Sequence, residues 1–160
     1  MKIAITGHTK NLGEFLYNKL KTDTNDILGF SRSNGFDIKN PFDRRKIIKQ
    51  SFEYDIFINL VHNYYHQTDL LFELFKSWEG LPKLIINISS IVVDKDLWGL
   101  DRFDFIEYKN QKIAVESMSK ILAKKNIYPV IKNYRISEIN FEEDFKNLNN
   151  IINDFRISQK

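Results

Sequence analysis

An α/β fold is predicted for this chain: a doubly wound parallel sheet of about six strands between two helical layers, three layers in all (α/β/α). Three observations predict it. Short apolar runs alternate with helical stretches along nearly the whole sequence. Two of these runs, at 54–61 and 84–90, are apolar almost throughout, as strands covered on both faces are. The first run, at 2–6, passes through Gly7 directly into an amphipathic stretch. Strand, crossover helix and strand in succession give parallel pairing, because the helix packs back onto the sheet it left.

Residues 2–6 form the first strand and Gly7 its tight turn. Leu12, Phe15, Leu16 and Leu20 then share one face of a helix. Residues 26–30 are a second strand, running into the turn formers Ser31, Arg32, Ser33, Asn34 and Gly35. Residues 35–38 read as a short third strand. Pro41 opens a helix at 41–52, since a proline in the first turn sacrifices no hydrogen bond. Residues 54–61 are a strand, 67–78 an aromatic-rich helix, 84–90 a buried strand, 108–125 a long helix and 128–134 the last strand. Phe141, Phe145, Leu148, Ile152 and Phe155 recur at helical spacing and place a closing helix at 141–156.

The 160 residues suit one domain over 1–160, burying roughly 70% of the surface its unfolded chain would expose. Hydrophobic residues at 42% and charged residues at 28% exclude a wholly disordered chain. The absence of cysteine excludes disulfides, thiolate catalysis and cysteine zinc sites. Net charge is only +3, and its clusters, Arg44-Arg45-Lys46 and Lys124-Lys125, read as solvated helix faces rather than a nucleic-acid patch. No run approaches ~18 apolar residues, so no membrane span is expected. His62 and His66 lack a carboxylate-rich partner set, so no metal site is expected. A cytoplasmic protein with a small-molecule ligand, and neither nucleic acid nor membrane as partner, is the expectation.

In such sheets ligands sit at the carboxyl ends of the strands, where strand order reverses. The residues leaving the strands are 7–13, 31–33, 59–63, and Ser89 with Ser90. The helix start after Gly7 offers unpaired amides and the positive end of a dipole, which suits an anion such as pyrophosphate. Tyr108 and Lys112 lie four apart, on one helix face. A nearby cation lowers a phenol's pKa from about 10 and makes it a better proton donor to a carbonyl oxygen. Tyr17 with Lys21 and Tyr128 with Lys132 share that spacing, but Tyr108 alone begins a helix behind a strand ending in two serines.

The stretches TGHTKNLG (6–13), DIFINLVH (55–62), IINISS (85–90) and YKNQKIAVESMS (108–119) follow the motif order of the short-chain dehydrogenase/reductase family. The chain resembles that family over about 2–136. The resemblance implies a Rossmann-like dinucleotide-binding domain and hydride transfer between a nicotinamide and a carbonyl or alcohol substrate. Tyr108 would then be the proton donor to the carbonyl, Lys112 would hold the nicotinamide ribose and lower the tyrosine's pKa, and Ser90, rather than Ser89, would polarise the same oxygen. The cofactor would lie over Thr6, Gly7, Thr9, Lys10, Asn11, Leu12 and Gly13. Asp37 and Ile38 would meet the adenine, and Asn59, Leu60 and Val61 would border it at the next strand end. A homodimer or homotetramer is also implied, paired through the aromatic helix and the Tyr108 helix, although those aromatics could equally face the sheet.

Charge argues for NADP(H) over NAD. An acid that accepts from the ribose 2′-hydroxyl usually stands about twenty residues beyond the glycines. Here Ser31, Arg32 and Ser33 occupy that region, a guanidinium fork with two hydroxyls that suits a 2′-phosphate, and Lys10 adds a second cation.

Several positions depart from the family pattern. Asn11 replaces its second glycine; asparagine tolerates a left-handed backbone, but its side chain could crowd a pyrophosphate. Leu60-Val61-His62 replaces Asn-Ala-Gly, making His62 either a polar substrate contact or a plug. The family's helix asparagine has no clear counterpart. No helix fits between Arg32 and Asp37, and Arg135-Ile136-Ser137-Glu138-Ile139 stands where a Pro-Gly loop belongs. The sequence reads as an unusually short member lacking most of the C-terminal substrate region, which should weaken catalysis more than cofactor binding. Trp98 and Leu100, within 92–105, read equally as a replacement wall or as core. Two functions stay open: an NADP(H)-dependent reductase of a small carbonyl, and a non-catalytic NAD(P)-binding regulatory or sensor module.

Overall fold

The computed structural model describes residues 1–95, 103–125, 127–136 and 140–159. Five strands form one parallel sheet: β1 (Lys2–Thr6), β2 (Asp26–Phe30), β3 (Ile56–Asn59), β4 (Leu84–Ser90) and β5 (Val130–Ile136), in the order β2-β1-β3-β4-β5. Between and after them run α1 (Asn11–Leu20), α2 (Pro41–Gln50), α3 (His66–Trp78), α4 (Phe103–Ala123) and α5 (Phe141–Ser158). Among the described residues no helix is long and apolar enough to cross a membrane.

Side chains alternate across a strand, so neighbouring residues serve opposite layers. Ile3, Ile5, Ile58, Ile86 and Ile88 meet α1 and α5 through Leu12, Leu16, Leu148 and Ile152. Ala4, Phe57 and Ile85 meet the helices of the other face through Ile47, Leu70, Leu74, Trp78 and Val115. Both faces of β3 are therefore buried, which explains its unbroken apolar run. The aromatic side chains of α3 divide the same way. Phe75 and Trp78 face the sheet, while Phe72 is left exposed.

The sheet has five strands among the described residues, not about six, because residues 35–38 do not extend. Ser31 and Asn34 close a capping box around a short 3-10 turn, and Gly35 takes a left-handed φ of 88°. These reverse the chain, so that Phe36 packs edge-on against Phe30 at 4.9 Å and Ile38 is buried on the sheet face. The resulting order puts the switch point between β1 and β3, where the connections leave on opposite sides of the sheet and a crevice opens.

Arg44 also departs from the sequence reading. It does not lie on a solvated face but is buried, donating to Ile38 O at 2.8 Å and to Glu73 through both Nε and Nη2. The pair pins α2 to α3 and supports the loop that carries Asp37 and Ile38. Trp98 and Leu100, and the 137–139 part of the segment after β5, lie outside the described residues.

Candidate active site

A cleft of ≈ 910 Å³ opens at the β1/β3 switch point. Gly7, Thr9, Lys10, Asn11, Leu12 and Gly13 line one end, Ser31, Arg32, Ser33, Asp37 and Ile38 another, and Leu60, Val61, His62, Tyr108 and Lys112 the inner wall.

Local chemistry builds the turn after β1. Gly7 sits at φ 76° and its amide donates to Phe30 O at 2.8 Å, tying the turn to β2. Gly13 carries a steric requirement: a Cβ there would stand 1.9 Å from Gly7 O. Asn11 takes a left-handed φ of 50°, so the backbone shape expected of glycine survives the substitution. Lys10 caps α1 without a side-chain hydrogen bond. Among the described residues no acceptor serves the Asn11 or Leu12 amide. Two free amides, a dipole end and a backbone too close for side chains fit a pyrophosphate. His8 folds back over Gly29, where a Cβ would meet its ring at 2.4 Å, and rests on Tyr17 at 5.0 Å between centroids.

Two of the expected contact residues stand behind the wall. Thr6 Oγ1 accepts from Leu60 N at 3.0 Å and Val61 N at 3.2 Å, fixing the exit of β3 beside β1. Asn59 is wholly buried, donating through Nδ2 to Gln67 O and Asn87 Oδ1, both at 3.0 Å. At the far end Ser31 and Ser33 share a hydroxyl bond at 2.8 Å, and Arg32 makes no ion pair among the described residues.

Tyr108 and Lys112 meet at the inner wall, but not as the sequence suggests. Lys112 Nζ lies 5.6 Å from the Tyr108 ring centroid and donates to Gln67 Oε1 and Ile88 O, each at 2.9 Å. Burial lowers its pKa to about 8, with Glu116 pulling the other way. The phenol is not acidified. Burial raises the Tyr108 pKa and outweighs the opposing bond from the Ser90 hydroxyl, so the group is protonated at neutral pH. His62 packs its ring edge-to-face on Tyr108 at 4.7 Å. Burial and then Lys112 depress its pKa to about 4, and the exposed part of the ring lets water offset some of that.

Sequence reasoning missed Gln67 and Glu116. Gln67 is 2% exposed and donates through Nε2 to Asn59 O at 2.8 Å and Ile88 O at 3.0 Å, leaving Oε1 for the lysine. It thus joins β3, β4 and α4 at one point. Ser89 Oγ donates to Glu116 at 2.7 Å, and Arg135 grips the same carboxylate through Nε and Nη2, both at 2.7 Å. Burial pushes the Glu116 carboxyl up, but the Arg135 and Ser89 bonds together hold it below the ordinary value. Ser89 is therefore committed to the scaffold, and Ser90 is the serine that faces the phenol. An odd buried charge on the sheet face of α4, four residues past Lys112, was the available signal for Glu116.

The lysine makes a pH prediction with a definite sign. A base whose pKa is lower folded than unfolded costs stability while charged, and the cost disappears as pH rises between the two values. Relative to Lys112→Met, the wild type should gain up to about 3 kcal/mol between pH 8 and 10.5, read by urea unfolding at each pH. A flat difference would mean the ammonium is not desolvated.

No family model matches the chain, and no curated protein matches it. Solved structures do. A small-chain dehydrogenase is 15% identical, with a TM-score of 0.71 over 92% of this chain and 87% of its own. The 3-alpha-hydroxysteroid dehydrogenase of Pseudomonas sp. B-0831, complexed with NADH, is 15% identical, with a TM-score of 0.67 over 86% of this chain and 72% of its own. A small-chain dehydrogenase in complex with NADPH is 16% identical, with a TM-score of 0.63 over 78% and 64%. At such identities the likeness is one of fold, and it gives the chain the Rossmann-like α/β fold of these dehydrogenases.

Proposed function

We propose that the chain is an NADP(H)-dependent oxidoreductase of the short-chain dehydrogenase type, interconverting a small carbonyl compound and its alcohol. The observation that carries this reading is the meeting of Tyr108 and Lys112 at the inner wall of a cleft whose other end is a phosphate-fitting turn, with the Ser90 hydroxyl hydrogen-bonded to the phenol. The nicotinamide, when bound, supplies or accepts the hydride. Tyr108 donates its phenolic proton to the carbonyl oxygen in reduction and takes it back in oxidation. Ser90 hydrogen-bonds the same oxygen, and Lys112 has one N–H beyond the two that Gln67 and Ile88 occupy, available to a ribose hydroxyl. The turn after β1 would hold the diphosphate through the backbone amides of Asn11 and Leu12. The fold neighbours include proteins described with NADH and with NADPH, which supports a nicotinamide dinucleotide of either kind.

Arg32 favours the phosphorylated cofactor, because a guanidinium without an ion pair among the described residues is free to grip a 2′-phosphate. NADPH should bind about tenfold tighter than NADH, and Arg32→Ala should erase the difference by weakening NADPH alone. Calorimetric titration with both dinucleotides checks this and the wider proposal, since failure to bind either one removes its foundation.

A second reading, a dinucleotide-binding sensor without turnover, is favoured by one observation. The Tyr108 phenol is held at a raised pKa with His62 against it, the opposite of an activated acid. Tight NADPH binding without turnover of any carbonyl in a broad panel would establish this alternative.

A further inference from the structure

Beside the large cleft lies a second cavity of ≈ 350 Å³, and the two share His62, Asn63 and Tyr108. Its remaining lining is Tyr64, Asp104, Glu107 and Gln111. This lining is rich in acceptors. Asp104 and Glu107 project from the first turns of α4, no lysine or arginine is among the described lining residues, and neither carboxylate is in an ion pair among the described residues. Gln111 is the independent sign of a missing ligand. It is 5% exposed, and its buried Oε1 has no hydrogen-bond partner among the described residues. A buried amide oxygen left without a donor is costly, and native structures seldom tolerate one without reason. Tyr64, on the rim, takes a left-handed φ of 48°, a strain that a bulky residue keeps only where its surroundings impose it.

We propose that this cavity is the substrate subsite and that it selects a small carbonyl compound, or the matching alcohol, that carries an ammonium group. The inference rests on the oxidoreductase reading and adds the substrate class to it. An ammonium supplies three donors, enough for Gln111 Oε1 and the two carboxylates together. The carbonyl carbon of the same molecule then remains on the Tyr108 side, which borders both cavities. His62 does not oppose the cation, because burial keeps its ring uncharged near neutral pH.

The test compares three carbonyl compounds of nearly one size with the full chain saturated in NADPH: aminoacetone, hydroxyacetone and pyruvate. The expected order of kcat/KM is aminoacetone first, by about fivefold or more over hydroxyacetone, with pyruvate last, the scale that partly solvated ion pairs support. Asp104→Asn combined with Glu107→Gln should bring the aminoacetone to hydroxyacetone ratio to about one while NADPH affinity holds. Equal turnover of the two, or a ratio that survives the double variant, overturns the proposal. A binding measurement keeps the subsite separable from the chemistry. Saturation-transfer NMR with 1-amino-2-propanol and 1,2-propanediol should show preference for the amine even if no turnover occurs, and no preference sinks the subsite. Absence of NADPH binding, by contrast, sinks the oxidoreductase reading and leaves the amine measurement to decide the cavity.

Discussion

Tyr108→Phe is expected to slow NADPH-dependent reduction about a hundredfold or more while shifting NADPH affinity by less than about twofold. The substitution is narrow in what it removes. A phenyl ring keeps the 4.7 Å edge-to-face contact with His62 and the 5.6 Å approach of Lys112, so the wall of the cleft stays in place and only the hydroxyl is lost. Because burial raises the Tyr108 pKa, the wild-type group is protonated at neutral pH, the form that reduction consumes. The same shift makes oxidation of an alcohol, which needs the phenolate, the more alkaline of the two directions. Steady-state kinetics in both directions, with a calorimetric titration alongside, reads each part. A Phe variant as active as the wild type would assign the proton elsewhere.

Gly13→Ala should be the most damaging alanine substitution among the described glycines. Helix propensity alone favours alanine by about 1 kcal/mol in the first turn of α1. Sterics reverse that balance, because the new Cβ would stand 1.9 Å from Gly7 O and neither backbone can yield without opening the turn. Overpacking of this kind costs about 3 kcal/mol, and the net loss should appear as a fall in Tm of several degrees. Dinucleotide affinity should fall at least about tenfold, since the displaced turn carries the amides that meet the diphosphate. An unchanged Tm would show that the turn is softer than its packing implies.

The elements and their order were legible because apolar period and turn chemistry speak locally. Lys2–Thr6, Asp26–Phe30 and Leu84–Ser90 fall where the sequence puts them. The third strand was misread for a physical reason. Phe36 and Ile38 alternate as an edge strand would, yet Gly35 turns them inward as a lid over one sheet face. Tyr108, Lys112 and Ser90 were legible as a trio, but the direction of the phenol's pKa was not. That direction depends on where the ammonium points, and its acceptors are a glutamine 45 positions away and a strand carbonyl. Arg44 hid for the same reason. A basic triplet looks solvated until Glu73, on another helix, is seen to claim its first member. Pairings set by tertiary contact leave no periodic mark.

Three consecutive residues of β4 each hold a different residue of α4: Asn87 donates to Ser119, Ile88 O accepts from Lys112, and Ser89 donates to Glu116. With Gln67 and Arg135 closing the ends, this helix is stapled to the sheet along two of its turns and cannot slide or roll independently of it. Amides of β4 and the inner turns of α4 should therefore exchange with solvent as one slow unit, and any reshaping on ligand capture falls to the opposite bank, where Arg32 to Gly35 form a short exposed turn.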